Sequence, residues 1–136
     1  MRIATIFGTT AIAAVAVFSG CGGDDDASPG ATSRAAGDGD TIEVEMLDNF
    51  FRPDQITVPA GATVTFDLPN KGKLPHNMHI ASARGVYRES PWLSEPGITN
   101  GGERGQLTWE VPSEPGTYKF RCDIHEADMI GTITVE

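Results

Sequence analysis

Three side chains that can bind a metal or act in nucleophilic chemistry lie within eight residues near the end of this chain. The stretch YKFRCDIHEADMIGTITV contains Cys122, His125 and Met129, although the 136 residues hold only two Cys, three His and four Met. Side chains alternate along a strand, so TYKFRC places Tyr118, Phe120 and Cys122 on one inward face. A tight loop after Cys122 can turn His125 toward the same centre. The segment therefore predicts a thiol, an imidazole and a thioether at the end of a strand.

Several kinds of chemistry could use Cys122. The other cysteine, Cys21, lies far away near the start of the chain, which leaves Cys122 without a plausible disulfide partner. A lone cysteine is commonly a small buried hydrophobic residue. A cysteine nucleophile needs an orienting group and an oxyanion site, and no signature in the sequence supplies them. Structural zinc prefers four Cys or His ligands, and the haem pattern C-x-x-C-H is absent. Two His, one Cys and a weak axial Met would make a type 1 copper site.

The second histidine for such a site would come from LPNKGKLPHNMHI, which offers His76 and His79. If a strand runs through HNMHI, His76 shares the apolar face with Met78 and Ile80, whereas His79 shares the other face with Asn77. This pattern favours His76 as the ligand. We expect His79 to be a surface or cross-strand polar residue and Met78 to belong to the core.

Short alternating segments must hold these residues in place. The apolar positions of three of them are Ile42, Val44 and Met46; Val64, Phe66 and Leu68; and Leu107, Trp109 and Val111. Segments such as VPAGAT and LPNKGKLP separate the strands and predict turns. No window has the apolar period of a long amphipathic helix. We expect an all-β sandwich or barrel, in which Trp92 is either a loop anchor or an exposed docking residue.

The first 40 residues differ from the rest of the chain. Residues 1–20 have one early cation and then an uncharged, mostly apolar run that is short for a membrane-spanning helix, as in an export signal. FSGC resembles the bacterial lipoprotein cleavage box, which implies cleavage before Cys21 and lipidation of that cysteine. Plain secretion and an uncleaved anchor are the alternatives. Residues 21–40 are rich in Gly, Ala, Ser and Asp, which predicts a flexible tether, and folded structure is expected from Thr41.

Residues 41–136 resemble the cupredoxins, the plastocyanin-like family of blue copper proteins. NFFRPDQITVPAGATVTFDLPNKGKLPHNMHI is similar to the N-terminal half of that family, and GTYKFRCDIHEADMIGTITV is similar to its C-terminal half. The resemblance implies a cupredoxin-like Greek-key β-sandwich of antiparallel and mixed strands with copper at one end. The copper ligands that it implies are His76, Cys122, His125 and Met129. It also implies that Asn77 ties the first ligand segment to the Cys loop.

The ligand loop departs from plastocyanin in three respects, one of which is that Asp128 replaces the Gly often found before the axial Met. Three residues separate His125 from Met129, whereas plastocyanin has four. Arg121 precedes Cys122 where plastocyanin has a Tyr used in electron transfer to partners, so that route is not expected here. The loop holds one Cys, whereas the dinuclear site of oxidase subunit II needs two, and a single copper ion is therefore expected.

The function implied by the resemblance is one-electron transfer outside the cytoplasm, with copper cycling between Cu(I) and Cu(II) and His125 as the electron port. The expected partners are a cytochrome or membrane oxidoreductase, and the membrane through the lipid anchor. No catalytic residue or small-molecule substrate is implied, and the net charge of −9 argues against nucleic acid. Copper storage, buffering or delivery by the same ligands is the alternative.

Overall fold

Ten β-strands make up nearly all the regular structure of residues 30–136, the residues that this computed structural model describes. The strands are β1 (Thr32–Arg34), β2 (Thr41–Glu43), β3 (Glu45–Leu47), β4 (Phe50–Arg52), β5 (Gln55–Val58), β6 (Thr63–Pro69), β7 (His79–Ile80), β8 (Arg104–Glu110), β9 (Gly116–Arg121) and β10 (Ile130–Val135). One short 3-10 helix, Tyr87–Glu89, interrupts them. Within the described part of the chain, no helix has the length and apolar character needed to cross a membrane.

The strands form two main sheets and a hairpin. One sheet has the order β1-β5-β10-β9-β7, with β1, β5 and β10 parallel and β9 antiparallel to both of its neighbours. The second has the order β2-β6-β8, with β2 parallel and β8 antiparallel to β6. Strands β3 and β4 pair as an antiparallel hairpin. The predicted all-β sandwich of antiparallel and mixed strands is confirmed.

The core includes the apolar residues that alternation predicted. All nine are buried, from 0% exposed at Val64, Phe66, Leu68 and Trp109 to 6% at Leu107. Cross-strand register places Phe66 opposite Leu107 and Val64 opposite Trp109, so that the inward faces of β6 and β8 coincide. Complete burial of one such side chain contributes about 1.5–3 kcal/mol relative to an exposed position, so this face contributes substantially to stability.

The first predicted strand is divided at Val44. Its first half, β2, pairs with β6, whereas its second half, β3, pairs with β4. Alternation continues through the change of partner, and Val44 itself is completely buried. The β3–β4 turn then contains Asp48 and Asn49, and Asn49 has a positive φ of 73°, a conformation that Asn tolerates better than most residues.

Folded structure begins earlier than Thr41. Strand β1 lies within the predicted tether of residues 21–40, pairs with β5 in parallel, and is followed by the buried Ala35. Strand pairing uses backbone N–H and C=O groups, so the unpaired edge of β5 can accept a segment without an apolar pattern. The tether prediction is therefore wrong for residues 32–35. The predicted signal peptide of residues 1–20 and the lipidation site Cys21 lie outside the described residues.

Trp92 anchors the irregular segment between β7 and β8 to the core. Its ring lies edge-on against Trp109, with centroids 5.7 Å apart, and against Tyr118 at 6.5 Å. Of the two roles considered for Trp92, the structure supports the loop anchor.

Candidate metal centre

Three donor atoms converge at one end of the sandwich. The Sγ atom of Cys122 lies 3.9 Å from Nδ1 of His76 and 3.6 Å from Nδ1 of His125. One ligand atom from each of the three residues can be chosen so that all lie within 4.8 Å of one another. Cys122 and His76 are completely buried, whereas His125 is partly exposed. The cluster therefore has a dry interior side and one imidazole near the surface.

The connection between β9 and β10 carries most of the predicted ligands. Cys122 directly follows β9 and Met129 directly precedes β10. The loop closes because the N–H of Cys122 donates to the carbonyl of Met129 at 3.0 Å, and the N–H of Met129 donates to the carbonyl of His125, also at 3.0 Å. Met129 is completely buried and belongs to the same core cluster as Cys122. Paired strand ends thus set the loop geometry.

His76 is positioned from the other side by the segment before β8. Its N–H donates to the carbonyl of Thr99 at 3.0 Å, and the N–H of Thr99 donates back to its carbonyl at 2.8 Å. The buried amide of Asn70 supports this arrangement, because Nδ2 donates to the carbonyls of Leu74 and Thr99, both at 2.8 Å. The loop leading to His76 therefore has a fixed path.

Asn77 links the two halves of the cluster. Its Oδ1 atom accepts the N–H of Asp123, the residue after Cys122, at 2.8 Å. Its Nδ2 atom donates to the carbonyl of Gly97 at 3.0 Å. One buried amide thus connects the His76 segment to both the ligand loop and the segment before β8.

His79 does not join the cluster, and it is not at the surface. The residue is 9% exposed; Nδ1 lies 2.8 Å from a carboxylate oxygen of Asp123, and Nε2 lies 3.3 Å from the carbonyl oxygen of Ser90. Strand β7 pairs with β9, so the cross-strand part of the prediction is confirmed and the surface alternative is wrong. The carboxylate of Asp123 also accepts Nε of Arg121 at 3.0 Å. This network fixes the first residue of the ligand loop, and the sequence pattern did not reveal it.

Asp48 is a second residue that sequence reasoning missed. Its Oδ1 atom accepts the N–H groups of Lys73 at 2.8 Å and Leu74 at 3.1 Å, and it lies 3.4 Å from Nε2 of His76. These backbone hydrogen bonds, that of Leu74 first, lower the pKa of the Asp48 carboxyl. Burial lowers the pKa of His76, which favours the neutral ring that can donate a lone pair to a metal.

The donor set and its spacing suit a small soft metal ion. A metal bonded to nitrogen at about 2.0 Å and to sulfur at about 2.3 Å, in a trigonal arrangement, separates the two donors by about 3.7 Å. The measured separations from Cys122 Sγ are 3.9 and 3.6 Å. Thiolate, imidazole and thioether together favour copper over oxygen-loving cations. The residues present therefore fit the single copper ion that the sequence resemblance implies.

Comparison with known proteins yields related sequences. A protein-family model described as a cupredoxin-like domain matches residues 11–135. Plastocyanin A/B of Petroselinum crispum is 39% identical over 90 residues, which cover 62% of this chain and 86% of that protein. The copper-resistant cuproprotein CopI of Rubrivivax gelatinosus is 29% identical over 153 aligned positions, which cover 98% of this chain and 92% of the relative.

Comparison with solved structures supports the same architecture. Auracyanin A, a "blue" copper protein from Chloroflexus aurantiacus, superposes with a TM-score of 0.57 at 24% identity. The superposition covers 71% of this chain and 98% of auracyanin A. Similarity at this level of identity concerns the fold.

Proposed function

Because the chain belongs to the family of cupredoxin-like domains, we propose that it binds one copper ion and carries single electrons outside the cytoplasm. The proposed ligands are His76, Cys122, His125 and Met129. The proposal assigns no catalytic residue.

One observation carries this proposal: the Sγ atom of a buried free cysteine and two imidazole Nδ1 atoms converge at metal-binding separations. Their segments are far apart in sequence, since His76 precedes Cys122 by 46 positions. Cys122 and His125 alone could form a nucleophile and its base. A second imidazole, that of His76, beside the same thiol favours a metal site, because a type 1 copper ion is bound by two His and one Cys.

The fold supplies the rigidity that electron transfer needs. Copper in such a site would supply a one-electron couple, with thiolate and thioether suited to Cu(I) and imidazole suited to both states. Backbone pairing holds His76 to Thr99 and Cys122 to Met129, so the protein can keep its geometry when the charge changes. Little rearrangement on redox change favours fast transfer.

His125 is the proposed exit for the electron. It is the partly exposed member of the cluster, and its neighbour Ile124 is 45% exposed. Two further exposed apolar residues, Leu74 and Ile98, lie close in sequence to His76 and to its pairing partner Thr99. An apolar surface around an imidazole edge would let a redox protein approach closely without a strong charge barrier. A cytochrome or membrane oxidoreductase is the proposed partner.

The decisive experiment is addition of Cu(II) to the purified protein, followed by visible and electron paramagnetic resonance spectra. We expect an intense thiolate-to-copper charge-transfer band that is lost in Cys122→Ser. Ser94 is also buried but lies outside the proposed ligand set, so Ser94→Ala is the control and should keep the band. A wild-type protein that binds copper weakly and without colour would refute the proposal.

Copper storage or delivery is a second candidate function. It is favoured by the similarity to the copper-resistant protein CopI, which extends over 98% of this chain. Reversible voltammetry together with rapid oxidation of a reduced cytochrome would support the electron carrier. Transfer of copper to an apo acceptor protein, without measurable electron exchange, would support the storage or delivery role.

We also propose that the protein is held outside the cytoplasm by a lipid on Cys21, as its FSGC sequence implies. Expression of the full chain in a bacterium with a lipoprotein pathway tests this directly. Wild-type protein should sediment with membranes, whereas Cys21→Ser should be released to the soluble extracytoplasmic fraction. Equal distribution of both forms would contradict lipid anchoring.

A further inference from the structure

A carboxylate from a distant turn meets the back of the His76 ring. Nδ1 of His76 faces the thiol of Cys122, and Nε2, the other ring nitrogen, lies 3.4 Å from Oδ1 of Asp48. Asp48 belongs to the β3–β4 turn and is 28 positions upstream of His76. Because Nε2 points away from the donor cluster, the carboxylate is not placed to bind the metal itself.

The loop that leads to His76 is held by hydrogen bonds to the Asp48 carboxylate. Oδ1 of Asp48 accepts two successive backbone N–H groups, from Lys73 and Leu74, in the loop that leads to His76. Gly72, just before them, leaves no room for a side chain: a Cβ atom there would overlap Oδ1 and would lie 2.9 Å from the N atom of Asp48. The turn and the loop are therefore closely fitted to each other, and the carboxylate position is fixed independently of His76.

We propose that Asp48 is a positioning residue for the copper site, which holds the His76 ring with its proton on Nε2 and lowers the reduction potential of the bound copper. This inference rests on the proposed function above and adds a residue that acts on the metal through a ligand. A carboxylate that accepts the Nε2 proton keeps Nδ1 free and makes it a stronger donor. The negative charge also favours Cu(II) over Cu(I), since Cu(II) carries the larger positive charge.

The charge and the hydrogen bonds can be separated by substitution. In Asp48→Asn, the amide oxygen can still accept the N–H groups of Lys73 and Leu74, so the loop should keep its path while the negative charge is lost. Mutation of the residue that accepts the proton of a ligand ring typically weakens metal affinity about 10–100-fold. If the affinity for Cu(II) falls tenfold more than the affinity for Cu(I), the reduction potential of the copper rises by about 59 mV for a one-electron couple.

The matched control is Asp128→Asn in the ligand loop. Asp128 adjoins Met129 and is exposed, so its substitution removes the same charge near the site without removing a partner of a ligand ring. We expect voltammetry to give a clearly larger upward shift for Asp48→Asn than for Asp128→Asn. Equal shifts in the two variants would overturn the proposal, because Asp48 would then act only as a nearby charge.

Gly72→Ala tests the contact while keeping the charge. The added Cβ should displace the carboxylate, so the potential should shift upward as in Asp48→Asn. Nitrogen-15 NMR of the apo-protein gives an independent readout: His76 should carry its proton on Nε2 in the wild type and lose that preference in Gly72→Ala, where the acceptor oxygen is displaced. A wild-type His76 protonated on Nδ1 would refute the positioning role. A wild-type protein without the charge-transfer band would instead refute the proposed function itself.

Discussion

Cys122 and Met129 are fixed mainly through their backbones. The N–H of Cys122 donates to the carbonyl of Met129 across the loop, and both side chains are completely buried. The thioether therefore depends on the strand ends for its position and not on side-chain hydrogen bonds. A change of side chain at position 129 should alter the metal centre while the loop stays in place.

Met129→Leu should leave copper bound and raise its reduction potential, because Cu(I) is stable with three ligands whereas Cu(II) depends more on a fourth donor, and this difference in coordination number outweighs the softness of the thioether. The two side chains have similar volumes, so the unfolding free energy of the apo-protein should fall by less than about 1.5 kcal/mol. Met78 is equally buried and lies outside the proposed ligand set, so Met78→Leu is the control. Voltammetry that gives the same potential for both variants would remove Met129 from the ligand set.

The three residues whose donor atoms converge, His76, Cys122 and His125, could be predicted from sequence because Cys and His are scarce in this chain and carry distinctive chemistry. The residues behind them could not. Asp48 and Asp123 are two of many acidic residues, and their partners His76 and His79 lie 28 and 44 positions away. These carboxylates approach the ring nitrogens only in the folded chain, and no short sequence spacing predicts such a contact.

The β9–β10 hairpin holds the ligand loop, and one glycine allows its strands to pack. Gly131, the second residue of β10, lies opposite Phe120 in the register. A Cβ atom at position 131 would overlap the Phe120 ring and would approach the carbonyl oxygen of Asp54 to 2.6 Å. Absence of a side chain here lets the Phe120 ring lie against the backbone of β10.

Gly131→Ala should lower the unfolding free energy by about 1–3 kcal/mol or more, because the core cannot move aside for the added methyl group. Gly116→Ala is the matched control at the other end of the hairpin, where nothing lies within 4 Å of the added Cβ. That change should be neutral or stabilise by about 0.4–1 kcal/mol. Urea unfolding of both apo-proteins measures the difference, and equal midpoints would show that the packing around Gly131 is looser than described.

The strands could be predicted from sequence where apolar and polar side chains alternate. Strands β6 and β8 alternate clearly, and their buried positions are those that the sequence predicts. The division at Val44 was not visible, because alternation continues while the backbone changes partner. Strand β1 was missed for the opposite reason: its Thr, Ser and Arg residues form backbone pairs without an apolar face.

The edge strand β1 should contribute measurably to the stability of the domain. The N–H of Ala35 donates to the carbonyl of Thr57 at 2.9 Å, and the N–H of Thr63 donates to Asp38 at 2.7 Å. Each such hydrogen bond contributes about 0.5–1.5 kcal/mol net. A chain that begins at Thr41 should therefore be less stable by about 2–4 kcal/mol than a chain that begins at Gly30. Thermal unfolding compares the two, and identical midpoints would mean that β1 is only loosely attached.

The parallel arrangement of β1, β5 and β10 determines where the N-terminal segment joins the domain. Thr32 at the start of β1 pairs with Gln55, and Gln55 pairs with Thr132, three positions after Met129. The N-terminal segment therefore enters the domain at the end that holds the proposed copper site. The start of β1 lies about 10 Å from the start of β10, across two strand spacings. The nine residue-to-residue steps from Cys21 to Gly30 span at most about 32 Å. If Cys21 carries the proposed lipid, the anchored segment would join the domain at the His125 end, which favours electron donors or acceptors embedded in the bilayer as partners.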